Sequence, residues 1–338
     1  MKLKTLFLAA ALVAGSPVLT AHAADIQSRL IRFGYGLNQD SNQGRAAKVF
    51  ADEVAKLSDG KMKVRAIGAA ALGSDIQMQQ ALIGGAQEMM VGSTATLVGI
   101  TKEMAIWDTP FLFNSGEEAD KVLDGPTGTL IKDKLKDKGL VGLVYWENGF
   151  RNLTNSRHPV ATADDFSGLK LRVMQNNVFL ETFQKLGANA IPLPFSELFT
   201  ALETKTVDGQ ENPFNTILSS KFYEVQKYLS VTNHVYSPWI VTVSKRWWDG
   251  LSADEQDVLM KAAETSRDYE RKDTRDEADK ALAALKEHGM EVNVAGPDSV
   301  EQMRKTIAPV NEQIKKEVGA EIWQAVQDEL AEIRKQGS

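Results

Sequence analysis

Arg172 stands in the decapeptide GLKLRVMQNN (Gly168–Asn177), where a short apolar run gives way to residues that begin helices. Leu169, Leu171 and Val173 alternate as one side of a buried strand. Asn176 or Asn177 can cap the run Val178–Leu186, whose Phe179, Phe183 and Leu186 recur at helical spacing before Gly187 stops it. A strand end followed by a helix start is where open α/β sheets bind ligands, and the free N–H groups of the helix favour an anion. A guanidinium at that point adds a planar fork that grips a carboxylate through two hydrogen bonds. A structural ion pair is the competing reading of the same residue. Asn212 occupies the same kind of place, after the expected strand Val207–Glu211 and before Pro213, which suits the first position of a helix. Arg151, in YWENGFRNLTN (Tyr145–Asn155), is a second candidate cation.

Catalytic chemistry has little to work with. His158, His234 and His288 are far apart and lack metal-ligand spacing. The chain contains no G-x-S-x-G elbow, no phosphate-binding G-x-x-x-x-G-K-[ST] loop and no G-x-G-x-x-G turn. The absence of cysteine excludes disulfides and thiolate metal sites. No cofactor and no metal are expected. The start of the chain reads as a secretory leader: Lys2 and Lys4, an uncharged run Leu6–Val13, and the small-x-small site Ala21-His22-Ala23. Against 45 acidic residues stand 39 basic ones, two of them in that leader, so the exported chain carries a net charge of −8. Nucleic acid is thereby disfavoured as a partner, and any anion must be captured by local arginines.

The remaining pattern is repeated β-α-β, which implies parallel strands with crossover helices. Expected elements are the strand Leu30–Leu37, a helix from Asn42 to Leu57, the strand Met62–Ile67, a helix from Ser74 or Asp75 through Ile83, and a strand Glu88–Val91. Met104–Phe113 reads as a packed loop, Glu117–Leu123 and Thr127–Asp137 as helices, and Leu140–Trp146 as a strand. A second series begins near Asn148 with Arg151–Asn155 and includes the helix Glu197–Thr204. The runs Leu229–His234 and Trp239–Ser244, flanking Tyr236-Ser237-Pro238, read as a pair of strands crossing between two domains. Ser252–His288 is the longest helical pattern, with apolar ends and a charged middle, Glu270–Glu277, expected to bridge through solvent. A strand Met290–Val294 and two helices close the chain.

Taken together, NGFRNLTN, GLKLRVMQNN, PFSELFTALETKTVDGQENP (Pro194–Pro213) and KFYEVQKYLSVTNH (Lys221–His234) resemble the periplasmic solute-binding proteins of tripartite ATP-independent (TRAP) transporters, C4-dicarboxylate-binding type. The resemblance covers essentially the whole exported chain. It implies an α/β, two-domain periplasmic binding protein, type II-like, with two crossing strands and a long bridging helix. On that frame residues 1–23 are the signal peptide, 24–148 with 237–276 form domain I, and 149–236 with 277–338 form domain II. The resemblance also implies the site: Arg172 as the main carboxylate ligand, Arg151 as the second arginine, Asn212 as an amide contact and Phe195 as a pocket wall. Gln175, Asn38 and Ser93 match further polar contacts, and Trp239 matches a residue that closes the pocket. Ser93 stands where sialic-acid binders carry a glutamate, which argues against a ligand of that sort. The expected ligand is a small organic acid, a sugar acid such as a uronate or a C4-dicarboxylate, because an apolar acid would leave the amides unpaired. The expected partners are the subunits of a membrane permease, with the binding protein itself a monomer. The rival class is an exported hydrolase or lyase that uses the same arginines to hold a carboxylated substrate.

Overall fold

In chain order the first β-α-β series comprises β1 (Arg29–Tyr35), α1 (Asn42–Leu57), β2 (Met62–Ile67), α2 (Asp75–Ile83) and β3 (Met89–Ser93), with β1 pairing in parallel with both β2 and β3. A buried 3-10 segment, Lys102–Asp108, precedes α3 (Gly116–Asp124) and α4 (Pro126–Asp133). The second series comprises β4 (Leu140–Asn155), β5 (Lys170–Val173), α5 (Asn177–Lys185), β6 (Asn189–Pro192), α6 (Leu198–Glu203), β7 (Gly209–Asn212), α7 (Phe214–Ser219) and β8 (Tyr228–Ser244). The chain ends with α8 (Lys245–Trp248), α9 (Ala253–Glu287), β9 (Glu291–Val294), α10 (Pro297–Val318) and α11 (Ala320–Gln336). This is a computed structural model, and it describes residues 25–336. The expected leader, 1–23, lies outside the described residues.

One mixed sheet runs β2-β1-β3-β8-β4-β7-β5-β6, with β9 added to β8. Two parallel groups, β1–β3 and β5–β7, are joined through the antiparallel pair β4 and β8. These two strands are 16 and 17 residues long. Their far ends belong to different groups: β3 pairs with Trp239–Val243 of β8, and β7 pairs with Asn152–Asn155 of β4. The register slips three times along the pair, between Gly142 and Tyr145, Glu147 and Gly149, and Arg151 and Leu153. Gly149, at the middle slip, has φ +111°, a conformation that side chains disfavour. The bulges bend the pair where it passes from one group to the other.

Several expectations are corrected here. Leu140–Trp146 and Arg151–Asn155 are one strand, and so are Leu229–His234 and Trp239–Ser244. The crossing pair is therefore β4 with β8, not the two runs either side of Tyr236-Ser237-Pro238. Pro238 sits opposite Glu147, beside the register slip, where a missing N–H is tolerated. The cap of α1 is Ser41, whose hydroxyl accepts from Gly44 N at 3.0 Å. Pro213 is the residue before α7 rather than its first turn, since its ψ of 157° is extended. The expected helix Thr127–Asp137 divides into α4 and a 3-10 turn, Lys136–Lys138.

Helix α9 bridges both groups. Its start, closed by a capping box between Ser252 and Glu255, packs Leu259 and Ala262 with Ile31, Phe33 and Phe50 of the first group. Its end packs Leu285 with Leu198 and Ile217 of the second. The tail touches both: α10 lies on Lys102–Asp108 and α5, and α11 lies on α3 and α4. The charged middle of α9 is not solvated as expected, because Glu270, Arg271 and Thr274 are buried. Arg275 pairs with Glu147 at 2.5 Å and with Asp120 at 2.8 Å, and Arg271 pairs with Asp124 at 2.6 Å. Glu270 accepts from Glu147 N and from Thr274 Oγ1, each at 2.7 Å. Apart from Thr274, these partners lie more than a hundred residues away in the chain, so the run itself reads as polar.

Burial raises the Glu270 carboxyl from its ordinary 4.5 to about 8, against the hydrogen bonds from Thr274 and Glu147 N. Between those values the folded protein holds a proton that the unfolded chain releases, so this residue's contribution to stability falls as pH rises and levels off above about 8. Glu270→Gln is therefore expected to gain melting temperature relative to wild type between pH 5 and pH 8 (roughly that titration window). A parallel pair of melting curves across that range would refute the assignment.

Candidate ligand-binding site

Between the two groups lies a cavity whose wall includes Arg151, Arg172, Gln175, Asn212 and Phe195 from the second group and Ser93 and Trp239 near the end of β3. Seven of the eight residues singled out in the sequence thus meet at one place. Asn38 does not line it: it is exposed, and its Nδ2 donates to Ser219 O at 2.6 Å across the rim.

Each side chain is placed by the sheet. Arg172 is the third residue of β5, opposite Ile191 of β6. Leu193 N continues that pairing by donating to Val173 O, and Leu193 O receives Arg172 Nε at 2.9 Å and Nη2 at 2.7 Å. The side edge of the guanidinium is thereby held, and its Nη1 remains. Arg151 is fully buried on β4, beside Glu211 of β7. Its Nε donates to Glu211 Oε2, and its Nη2 donates to Glu211 Oε1 at 2.8 Å and to Glu211 O at 2.6 Å. Phe179 covers the guanidinium at 5.5 Å. The second arginine is thus also half of a structural ion pair, and here too only Nη1 is left. Asn212, next to Glu211, donates to Gln210 Oε1 at 2.5 Å.

Among the described residues, several buried side-chain polar atoms have no hydrogen-bond partner. Those belonging to residues of this cavity are Arg151 Nη1 and Arg172 Nη1. A buried donor without an acceptor costs about 1–3 kcal/mol, more when charged. Two such cationic donors on one wall suit an anionic acceptor, and a carboxylate has the lone pairs to meet both. Burial lowers the Arg172 pKa to about 10, with Glu211 and Asp75 opposing, so the group is a cation at neutral pH. Burial also raises Glu211, but Arg151 and His234 together hold it below its usual range.

The opposite wall carries Asp75, Gln43 and Asn148, which sequence reasoning did not single out. Asp75 is the first residue of α2, after the cap Ser74, and its Oδ2 accepts from Ser93 N at 3.0 Å. A Cβ at Gly92 would stand 2.9 Å from that oxygen, so glycine is what lets the carboxylate sit there. A signal was present: Asp75 also follows a strand and a small-residue loop at a helix start. Three further hydrogen bonds join the walls. Asn176, the cap of α5, donates to Ala95 O at 3.0 Å and to Asp108 Oδ2 at 2.7 Å, and Ser93 Oγ meets Met174 Sδ at 3.5 Å. Among the described residues no cluster of His, Cys, Asp and Glu is arranged to hold a metal ion.

Comparison with known proteins gives this geometry a family. Residues 33–317 match the bacterial extracellular solute-binding proteins, family 7. The 2,3-diketo-L-gulonate-binding periplasmic protein YiaO of Escherichia coli is 40% identical over 280 residues, covering 83% of this chain and 85% of that one. The C4-dicarboxylate-binding periplasmic protein DctP of Rhodobacter capsulatus is 33% identical, covering 90% of this chain and 91% of that one. Among solved structures, the sugar acid binding protein DctPAm of Advenella mimigardefordensis, in complex with galactonate, superimposes with a TM-score of 0.90 at 52% identity, over 91% of this chain and 99% of that one. A TRAP periplasmic solute-binding protein of Polaromonas bound to D-erythronate gives 0.85 at 41%, over 88% and 98%. These are binding proteins of transport systems rather than enzymes. With its cavity, its two-group sheet and its match over nearly the whole described chain, this protein belongs to family 7 of the bacterial extracellular solute-binding proteins, the receptors of TRAP transport.

Proposed function

We propose that this protein captures a hydroxylated carboxylic acid between its two groups and delivers it to a TRAP membrane permease. The observation that carries the reading is the pair of buried, partnerless Nη1 atoms on Arg151 and Arg172 in one cavity. Arg172 is the principal anchor, because its end edge, Nη1 with the second hydrogen of Nη2, is free of Leu193 O. Arg151 supplies a further bond from Nη1. Ser93, Gln175 and Asn212 meet hydroxyl or carbonyl groups of the ligand, Phe195 and Trp239 wall its carbon chain, and Asn38 ties the rim through Ser219 instead of touching it.

Micromolar affinity requires about 8.2 kcal/mol. Two charge-assisted hydrogen bonds at about 1.5–3 kcal/mol each supply roughly half, so hydroxyl contacts and the exclusion of water must supply the rest. Both walls are needed for that, which makes binding a closure of 24–148 with 237–276 against the remainder, about the slipped registers of β4 and β8. Such a receptor is exported by cleavage of residues 1–23, acts in the periplasm and works as a monomer. The bound relatives support the ligand class: galactonate and D-erythronate are both polyhydroxy acids.

A thermal-shift and calorimetry panel tests the reading. Sugar acids are expected to raise the melting temperature, with about 2.7 kcal/mol of stabilisation at a hundredfold excess over Kd. A panel in which only aromatic or aliphatic acids respond would contradict it. Arg172→Lys keeps the charge but loses the fork, so affinity for a responding acid should fall about 10–100-fold, the equivalent of one charge-assisted bond, with the melting temperature of the free protein little changed. Affinity within about twofold of wild type, well under 1.4 kcal/mol, would remove Arg172 as the anchor.

A further inference from the structure

The ionisable residues of the cavity wall are Arg151, Arg172 and Asp75. Glu211 neutralises Arg151 through its ion pair, which leaves Arg172 as the uncompensated cation. Asp75 places an anion on the facing wall. Its carboxylate is seated by the Ser93 N–H, by the space over Gly92 and by its place at the start of α2, where the helix dipole favours negative charge. Oδ1 makes no hydrogen bond among the described residues, and Asp75 lines the cavity. Burial raises the Asp75 carboxyl above its ordinary range, and the Ser93 N–H and the charge of Arg172 act against that shift, in favour of the anion.

Building on the receptor reading above, we propose that Asp75 is a charge filter that selects polyhydroxy monocarboxylates over dicarboxylates. The cavity has one wall built for a carboxylate and another already occupied by one. An ionised carboxylate accepts hydrogen bonds and donates none, so it pairs with ligand hydroxyls and repels a second ligand carboxylate. Inside a closed, water-poor cleft that repulsion is far stronger than in water. The class assigned is an aldonic or uronic acid whose far end carries hydroxyl groups; its diacid counterpart, of nearly the same size, is the class rejected.

Two matched pairs of probes isolate the charge: galactonate with galactarate, and D-erythronate with meso-tartrate, each pair differing by a terminal hydroxymethyl against a carboxylate. Calorimetry on the wild-type mature protein is expected to favour the monoacid at least tenfold in any pair that binds. Asp75→Asn keeps the size and the acceptor for Ser93 N, and it should cut that preference by about tenfold, chiefly by tightening the diacid. Wild-type protein that binds the diacid as tightly as the monoacid overturns the filter, and this arm needs no variant. An unchanged ratio in Asp75→Asn overturns the assignment to Asp75. A wild-type protein that binds neither member of either pair nor any other sugar acid overturns the receptor reading itself, and the filter with it.

Discussion

Two guanidinium groups are held from behind, and the cavity exists in its present form because of how they are held. Arg151 is wholly inside the protein, and burying such a charge costs several kcal/mol unless it is paired. Glu211, braced in turn by His234 Nε2 at 3.1 Å, supplies the pair. Removing one partner of a buried pair typically costs about 3–5 kcal/mol, which ties the fold of the β4–β7 edge to an ion pair at the ligand site. Arg172 is held by a backbone carbonyl instead, with no countercharge in hydrogen-bonding contact. The difference assigns their tasks. In the proposed reading the compensated arginine fixes shape and offers a single donor, and the uncompensated one supplies the attraction. Both are rigid before any ligand arrives, so little orientation entropy remains to be lost on binding.

The strand that carries Arg151 also belongs to the crossing about which the proposed closure turns. β4 and β8 belong to the first group at one end and to the second at the other, and their register slips lie between. Around that crossing the two groups share a buried apolar cluster that includes Ala95 and Trp107 on one side and Met174 and Phe179 on the other. Polar contacts add to it: Asn176 with Ala95 and Asp108, Asn38 with Ser219, and Thr274, which receives Asn42 Nδ2 on its hydroxyl and Asn215 Nδ2 on its carbonyl. In the proposed closure, a ligand that bonds to both walls shifts the balance by the contacts that the closed form alone provides. Helix α9 spans the arrangement, and its partly buried ion pairs with β4 and α3 hold the crossing from outside.

Much of this was legible in the sequence because it depends on local order. Arg172, Asn176 and Asn212 lie where strands end and helices begin, and that junction is written in apolar spacing followed by a capping residue. The family resemblance gave Arg151 its place in the site and added Phe195 and Trp239, which no local rule singles out. What stayed hidden depends on partners distant in the chain. Glu211 reads as one acid among many until β4 sets it beside Arg151. The middle of α9 reads as solvated because Glu147, Asp120 and Asp124 are more than a hundred residues away. Asp75 shares the strand-to-helix position of Arg172, yet an acid at the start of a helix is so common a capping feature that its place in the cavity was not apparent. Asn38 shows the converse: a loop at the correct strand end brought it to the rim, and Ser219 O took its amide.

The central claim is that the cavity recognises a carboxylate through the free Nη1 atoms of Arg172 and Arg151. Calorimetry with one sugar acid and its neutral amide, for instance galactonate against galactonamide, tests it on the unaltered protein. The amide keeps every hydroxyl but loses the charge and turns an N–H group toward the guanidinium groups. Its affinity should be at least a hundredfold lower, a difference of about 2.7 kcal/mol. Binding of the amide within a few-fold of the acid would contradict the account, because the arginines would then be structural and the hydroxyl contacts alone would hold the ligand.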